Sequence, residues 1–439
     1  MYRNLPSTNG TSSSSYEIEV ILEKAIYNPG DLLTGEVRLH LSRKLCCELI
    51  TVQLFGRTRV FFTEKVTKPG ALSQTKAYEQ ENVLVDLKSD IWKCPENEKP
   101  KREVSLNDIA RMASSTAIRM PTSKSEKQPG IGVGVHSLPF AFQLPESGLH
   151  TSFDARNAVG YIRYYILVQA LNNGLTVARK KLLFPIVCHR FLSLDQRSLE
   201  SPTLTGSRKV GKGEVYVELR LKKRGFVPGE PTWGDIIIDN KSDKSVKYSH
   251  FRICQKTLCY SSHPEVQTYE SFFETAGMGL PIHKVVAGQR FEYPITFYVP
   301  ALVPNLNVPG CIEVEYEVRL DVGLVRGSAK SAFITLSTPI YIGTHPATDQ
   351  GLISALGFNG ALRNRSQLPA APPSYENENI PCLETASLLD FPPSYSASVG
   401  GLSAVEGNDS QPTEYTPLYY EYNFQKFVDS APAQKEKAL

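Results

Sequence analysis

Two copies of the tetrapeptide Pro-Pro-Ser-Tyr stand near the end of this chain, at Pro372–Tyr375 and Pro392–Tyr395, 20 residues apart. Their chemistry is recognition rather than catalysis. Paired prolines fix φ and set an extended polyproline II conformation in advance. A segment that is already extended loses little entropy when it docks into an aromatic-lined groove, which is how WW domains read such peptides. Pro372, Pro373 and Tyr375 form one candidate WW ligand, and Pro392, Pro393 and Tyr395 the other. Two linked copies raise affinity for a partner with several WW domains through effective concentration alone.

Glu384, Leu388 and Leu389 lie between the two copies and match the acidic dileucine pattern that clathrin adaptors read. The tail tyrosines Tyr415, Tyr419, Tyr420 and Tyr422 are candidate phosphosites or a short binding motif, and Pro417-Leu418-Tyr419 is a partial match to the WW ligand.

Catalytic constellations are absent from the sequence. The eight histidines lie apart, with no His-x-x-x-His and no Cys/His cluster, so neither a metal site nor a cofactor is expected. There is no Gly-x-Ser-x-Gly elbow. Gly130-Ile131-Gly132-Val133-Gly134 lacks the Gly-x-Gly-x-x-Gly spacing of a phosphate-binding turn and reads as a loop leading into a strand. The eight cysteines form no Cys-x-x-Cys pair and read as buried, reduced thiols of a cytosolic protein. Basic residues are dispersed, without a nucleic-acid-reading motif. The expectation is a non-enzymatic protein.

Charge separates a body from a tail. From Pro346 to Leu439, eleven acidic residues stand against five basic ones, a net −6. The whole chain carries +3, so Met1 to His345 carries +9. A basic body suits anionic surfaces, and an acidic, Tyr- and Pro-containing tail suits protein partners. No apolar run reaches the roughly 18–20 residues that span a bilayer. The Ser/Thr-rich residues Met1–Ser15 carry no apolar signal segment, and neither end shows a lipidation motif.

The body that must carry the tail reads as one unit repeated. Pro29-Gly30-Asp31 with Gly35-Glu36-Val37 recurs at the same spacing as Pro228-Gly229-Glu230 with Gly234-Asp235-Ile236. Pro-Gly is turn chemistry, in which proline sets the first central residue and glycine supplies φ > 0. An alternating strand precedes each turn: Ile18, Val20 and Leu22 in the first copy, Val215, Val217, Leu219 and Leu221 in the second. Pro139–Pro145 then matches Pro294–Pro300, each read as a short strand bounded by prolines. Ile162–Ile166 matches Val314–Val318.

Many short alternating strands predict antiparallel β-sandwiches, and two copies predict two of them. The first copy carries about 44 extra residues, since Gly30 to Pro139 is 109 positions and Gly229 to Pro294 is 65. The excess is placed near 91–135, with a short helix capped by Ser105 and carrying Leu106, Ile109, Ala110 and Ala113 on one face. The predicted division is 1–15 disordered, 16–190 first sandwich domain, 191–211 linker, 212–345 second sandwich domain, and 346–439 a disordered tail.

The duplicated Pro-Gly-[Asp/Glu]-x3-Gly turn, Gln255-Lys256-Thr257, Pro339-Ile340-Tyr341-Ile342-Gly343 and the paired tail motifs together resemble the alpha-arrestins, the arrestin-domain-containing proteins. The resemblance covers roughly Tyr16 to Tyr395. It implies an all-β fold with two arrestin-like sandwiches in tandem. It implies an adaptor whose tail binds WW-domain HECT ubiquitin ligases and whose body binds the cytoplasmic tails of membrane proteins. Such an adaptor promotes ubiquitination, endocytosis and endosomal sorting from the cytoplasm, at the plasma membrane and endosomes. The long insertion departs from the family pattern. The alternative reading is a structural sorting-coat subunit on the same fold, like the arrestin-like subunit of retromer.

Overall fold

The computed structural model describes residues 16–66, 74–95, 129–155, 159–232, 234–325, 332–346, 389–390 and 417–422. The helix expected near Ser105 lies outside them.

The first eight strands are β1 (Tyr16–Leu22), β2 (Leu32–Leu41), β3 (Leu49–Val66), β4 (Gln74–Lys93), β5 (Gly134–Gln143), β6 (Phe153–Asp154), β7 (Gly160–Asn172) and β8 (Leu175–Phe184). They form a three-stranded sheet, β1-β2-β5, and a five-stranded sheet, β4-β3-β7-β6 with β8 on β7. A 3-10 turn at Leu192–Leu194 and a one-turn helix at Gln196–Leu199 follow.

Ten strands come next: β9 (Thr203–Val210), β10 (Gly213–Leu221), β11 (Gly225–Phe226), β12 (Gly234–Asn240), β13 (Tyr248–Ser261), β14 (Gln267–Gly279), β15 (Arg290–Pro294), β16 (Leu306–Val308), β17 (Ile312–Gly323) and β18 (Ala332–Ile342). They form a four-stranded sheet, β15-β12-β10-β9, and a six-stranded one, β11-β18-β17-β13-β14 with β16 on β17. Every one of these pairings is antiparallel except β11 with β18. The stretch read as a linker, 191–211, thus contains β9, which pairs with β10 along its length. No helix among the described residues is long and apolar enough to cross a membrane.

The chain divides into two compact units, one of Met1–Arg57, Val83–Leu149 and Arg163–Ile186, the other of Thr58–Asn82, His150–Ile162 and everything from Val187 on. In the first, the alternation of β1 and β2 buries Val20, Leu22, Val37 and Leu39. In the second, β10 buries Val215, Val217 and Leu219, and β17 buries Val314, Tyr316, Val318 and Leu320. Each such aliphatic side chain contributes about 1.5–3 kcal/mol by leaving water. The second unit also includes the distal ends of β3 and β4. There Gln267 donates to both carboxylate oxygens of Glu64 at 3.1 Å, and the Phe62 ring stacks on Tyr78 with centroids 5.2 Å apart.

Pro139 lies inside β5 rather than at its start, because β5 is an edge strand whose missing N–H costs no ladder bond. The expected strand Pro294–Pro300 begins earlier, at Arg290, and its regular part ends at Pro294. The chain still follows its neighbour, with Ile295 donating to Gly234 at 2.9 Å and Val299 to Glu230 at 2.8 Å. Pro231 lies opposite Tyr298 in an isolated bridge at a non-hydrogen-bonded position, where its missing N–H costs nothing, and Thr232 N–H still donates to the Phe297 carbonyl at 2.9 Å.

The duplication extends to individual bonds. In the first turn Asn28 N–H donates to the Asp31 carboxylate at 3.0 Å; in the second Val227 N–H donates to Glu230 at 3.1 Å. Gly30 N–H reaches the Pro145 carbonyl at 3.1 Å, as Gly229 N–H reaches Val299 at 2.8 Å. Gly30 has φ +83° and Gly229 φ +84°. Lys24 pairs with Asp31 and Lys223 with Glu230, and each lysine lies near an aromatic ring, Tyr27 at 5.9 Å or Phe226 at 5.5 Å.

Candidate protein-interaction site

Pro372, Pro373, Tyr375, Pro392, Pro393 and Tyr395 lie outside the described residues, as do Glu384, Leu388 and Tyr415. Leu389 lies inside them. It begins β19 (Leu389–Asp390), which pairs antiparallel with β20 (Glu421–Tyr422), Leu389 opposite Tyr422 and Asp390 opposite Glu421. The tail tyrosines Tyr419, Tyr420 and Tyr422 therefore belong to a described segment, Pro417 to Tyr422, and that segment is seated on the second unit.

Two tyrosines anchor it. Tyr419 is 2% exposed, and its hydroxyl donates to the backbone carbonyl of Ser152 at 2.9 Å. Tyr422 donates twice: its N–H to the Pro228 carbonyl at 3.0 Å and its hydroxyl to the Thr344 carbonyl at 2.9 Å. Its ring packs on the buried pair Leu192 and Val227. Pro417 is buried as well. A buried tyrosine supplies large apolar area, and its hydroxyl needs a partner, which both rings find.

Four stretches distant in sequence build the seat. Ser152 precedes β6 and is fully buried. Its neighbour Thr151 accepts from Cys188 N–H at 3.0 Å, which ties the first stretch to the second. Thr344 follows β18 and accepts on its hydroxyl from Arg190 N–H at 2.6 Å. The Arg190 guanidinium is spent on the Asn305 carbonyl at 2.9 Å, and burial holds its pKa below the ordinary arginine value. Pro228 and Gly229 come from the second copy of the repeated turn. An added β-carbon on Gly229 would stand 2.0 Å from the Tyr422 carbonyl oxygen, so the bare α-carbon is what lets the tail lie on the turn.

Of these groups, sequence reasoning singled out the Gly229 turn and the tail tyrosines, but not Ser152 or Thr344. Those two accept through backbone carbonyls, which any residue type supplies.

Other chemistry-bearing residues take structural roles. Gln255 is fully buried on β13 and donates to Thr257 at 3.2 Å, while the Tyr316 hydroxyl donates to the Val303 carbonyl at 2.8 Å. Ile131, within the glycine-rich stretch, exchanges two backbone bonds with Leu45, at 2.9 and 3.0 Å, and Gly134 opens β5. The seven described cysteines are free. Burial pushes the thiols of Cys47 and Cys254 up to about 11 and that of Cys259 to about 12, which leaves them protonated and unreactive at neutral pH. Among the described residues no three His, Cys, Asp or Glu side chains are grouped to hold a metal ion.

Residues 16–184 match the family model of the arrestin (or S-antigen) N-terminal domain, and residues 211–347 that of the arrestin C-terminal domain. Protein ttm-2 of Caenorhabditis elegans is 22% identical over 312 residues, covering 69% of this chain and 83% of that protein. Arrestin domain-containing protein 5 of Bos taurus is 24% identical over 380 residues, covering 81% and 97%. Arrestin domain-containing protein 1 of Homo sapiens is 24% identical over 371 residues, covering 83% and 72%.

Proposed function

Because the chain belongs to the alpha-arrestin family, we propose that it is a non-enzymatic adaptor that brings WW-domain HECT ubiquitin ligases to membrane-protein cargo. The observation that carries this reading is the pair of identical motifs Pro372–Tyr375 and Pro392–Tyr395 in an acidic tail behind two arrestin domains. Each offers a WW domain an extended, proline-set peptide, and the 20-residue spacing lets one chain engage two domains of the same ligase.

The body supplies the cargo end. Its net +9 suits acidic or phosphorylated cytoplasmic segments of membrane proteins, or an anionic leaflet, through charge-assisted contacts. The adaptor works in the cytoplasm at the plasma membrane and endosomes, where ubiquitination commits cargo to endocytosis and sorting. The dileucine residues Glu384, Leu388 and Leu389 give clathrin adaptors a further handle.

The test is binding of the full-length protein to a tandem WW array from a HECT ligase, beside a Tyr375→Ala/Tyr395→Ala double variant. The expected result is wild-type binding tighter than about 10 μM, the range of modest motifs helped by linkage, and loss in the double variant. Equal binding by both proteins makes the motifs spacers and overturns the reading.

A further inference from the structure

We propose that the second unit carries a peptide-binding groove for an extended segment with two tyrosines three residues apart, and that its resident ligand is this chain's own Pro417–Tyr422. The groove is lined by Ser152, Leu192, Val227, Pro228, Gly229 and Thr344.

Three features make this a site with its own selectivity. First, both tyrosine hydroxyls donate, to the carbonyls of Ser152 and Thr344, each at 2.9 Å. The groove thus offers acceptors at fixed places, and a phenylalanine in either position would leave a buried carbonyl without its partner. Second, the ligand backbone is also read: Tyr422 N–H bonds the Pro228 carbonyl at 3.0 Å, which fixes register. Third, the bare Gly229 supplies the close approach that an extended peptide needs. The equivalent turn glycine in the first copy, Gly30, would put a β-carbon no nearer than 3.5 Å to its nearest neighbour, the Glu146 side chain, so among the described residues no segment lies as close on the first copy's turn.

The occupant is settled by continuity of the chain. Pro417–Tyr422 is seated with Tyr419 2% exposed, and its own tether keeps it at an effective concentration in the millimolar range. While seated, Tyr419 is unavailable to any WW domain, so Pro417-Leu418-Tyr419 serves the groove and not the ligase. The groove is also closed to a phosphotyrosine. A phosphate carries nearly two negative charges and no hydroxyl proton, so it would face backbone carbonyls with nothing to donate. Because β19 pairs with β20, release of the segment also frees the backbone of Leu389.

The test uses the full-length protein and a fluorescein-labelled peptide covering Pro417–Gln425. In the wild type the groove is filled, whereas a Tyr419→Ala/Tyr422→Ala variant empties it without touching the body. The expected result is peptide binding at least tenfold tighter to the variant than to the wild type. A peptide with both tyrosines changed to phenylalanine should bind the variant at least tenfold more weakly, and one phosphorylated at both positions should not bind. Hydrogen exchange gives a second reading, with the backbone amide of residue 422 protected in the wild type and fast in the variant, where alanine stands at that position. Equal peptide binding to both proteins, binding to neither, undiminished binding of the phosphopeptide, or an amide at residue 422 with the same protection factor in both would each overturn the proposal. A wild type that is dimeric where the variant is monomeric would show that a second copy supplies the segment, and would overturn the intramolecular assignment. None of these outcomes depends on the ligase motifs, which remain intact in both proteins.

Discussion

Gly229 and Tyr422 share one space: a β-carbon on Gly229 would stand 2.0 Å from the Tyr422 carbonyl oxygen, while its twin Gly30 has room for one. Both glycines have the same left-handed backbone, φ +84° and +83°. Alanine at either position should cost roughly 1–2 kcal/mol of strain from that backbone alone. Only Gly229→Ala should also unseat the tail. Chemical denaturation should show the larger loss for Gly229→Ala, which adds the lost seat of Tyr419 and Tyr422 to the shared strain, and hydrogen exchange should show a faster Tyr422 amide in Gly229→Ala alone. Equal protection of that amide in both variants would contradict the geometry.

Much of the fold is legible in the sequence, and the limits follow from the physics of each signal. Val215, Val217, Leu219 and Leu221 announced a half-buried strand because the period of two records a local fact, which face meets the core. The Pro-Gly turns were equally plain, since only glycine takes φ +83° without strain. The extent of the strand at Pro294 is not legible in the sequence, because it depends on the pairing with Asp235–Asp239, which lie opposite in the fold and far away in sequence. The seating of Tyr419 was unreadable for the same reason. Its partner Ser152 is 267 positions away and contributes a backbone carbonyl, which leaves no mark on residue type. Nor could sequence distinguish Asp31 from Glu230, two acids in one motif with different burial.

Asp321 is fully buried on β17 and gathers three donors: Arg252, Arg319 through Nε at 3.3 Å and the Thr335 hydroxyl at 2.5 Å. Asp321→Ala leaves Arg252, itself only 15% exposed, with Glu274 at 3.8 Å as its remaining carboxylate. Removing one partner of a buried pair costs about 3–5 kcal/mol, whereas replacing both by apolar groups is often near neutral. Urea denaturation should therefore show a large loss for Asp321→Ala and a smaller one for Arg252→Met/Asp321→Leu. A double variant less stable than the single one would refute this account.

Phosphate on Tyr375 or Tyr395 should weaken WW docking, because bulk and charge would enter an apolar groove. With one motif modified, the protein should keep the affinity of a single motif. With both modified, linkage has nothing left to amplify, and binding should fall to that of the Tyr375→Ala/Tyr395→Ala variant. Titration of a tandem WW array against singly and doubly phosphorylated tail peptides reads this directly, and an unchanged affinity for the doubly modified peptide would dispose of it.

Glu230 and Asp31 hold corresponding places, each capping its own turn and each paired with a lysine, yet their surroundings differ. The Glu230 side chain is 8% exposed and that of Asp31 23%, beside a Lys24 that is 54% exposed. Burial pushes the Glu230 carboxyl above its ordinary 4.5, and the attraction of Lys223 and the Val227 N–H only partly offset that. The folded chain therefore holds this proton more tightly than the unfolded chain does. Stability from this group is fully present below the unfolded value, about 4.5, and declines as pH rises through the raised folded value. Glutamine has no proton to lose, so Glu230→Gln should gain on the wild type as pH rises across that window. Denaturation of both proteins at several pH values from 4 to 8 isolates the effect, since every other titrating group cancels in the difference. In the surface-exposed copy, Asp31→Asn should cost about 0–1 kcal/mol, the range of an exposed ion pair. A Glu230→Gln variant that instead loses ground to the wild type as pH rises would mean that Lys223 outweighs burial at this site.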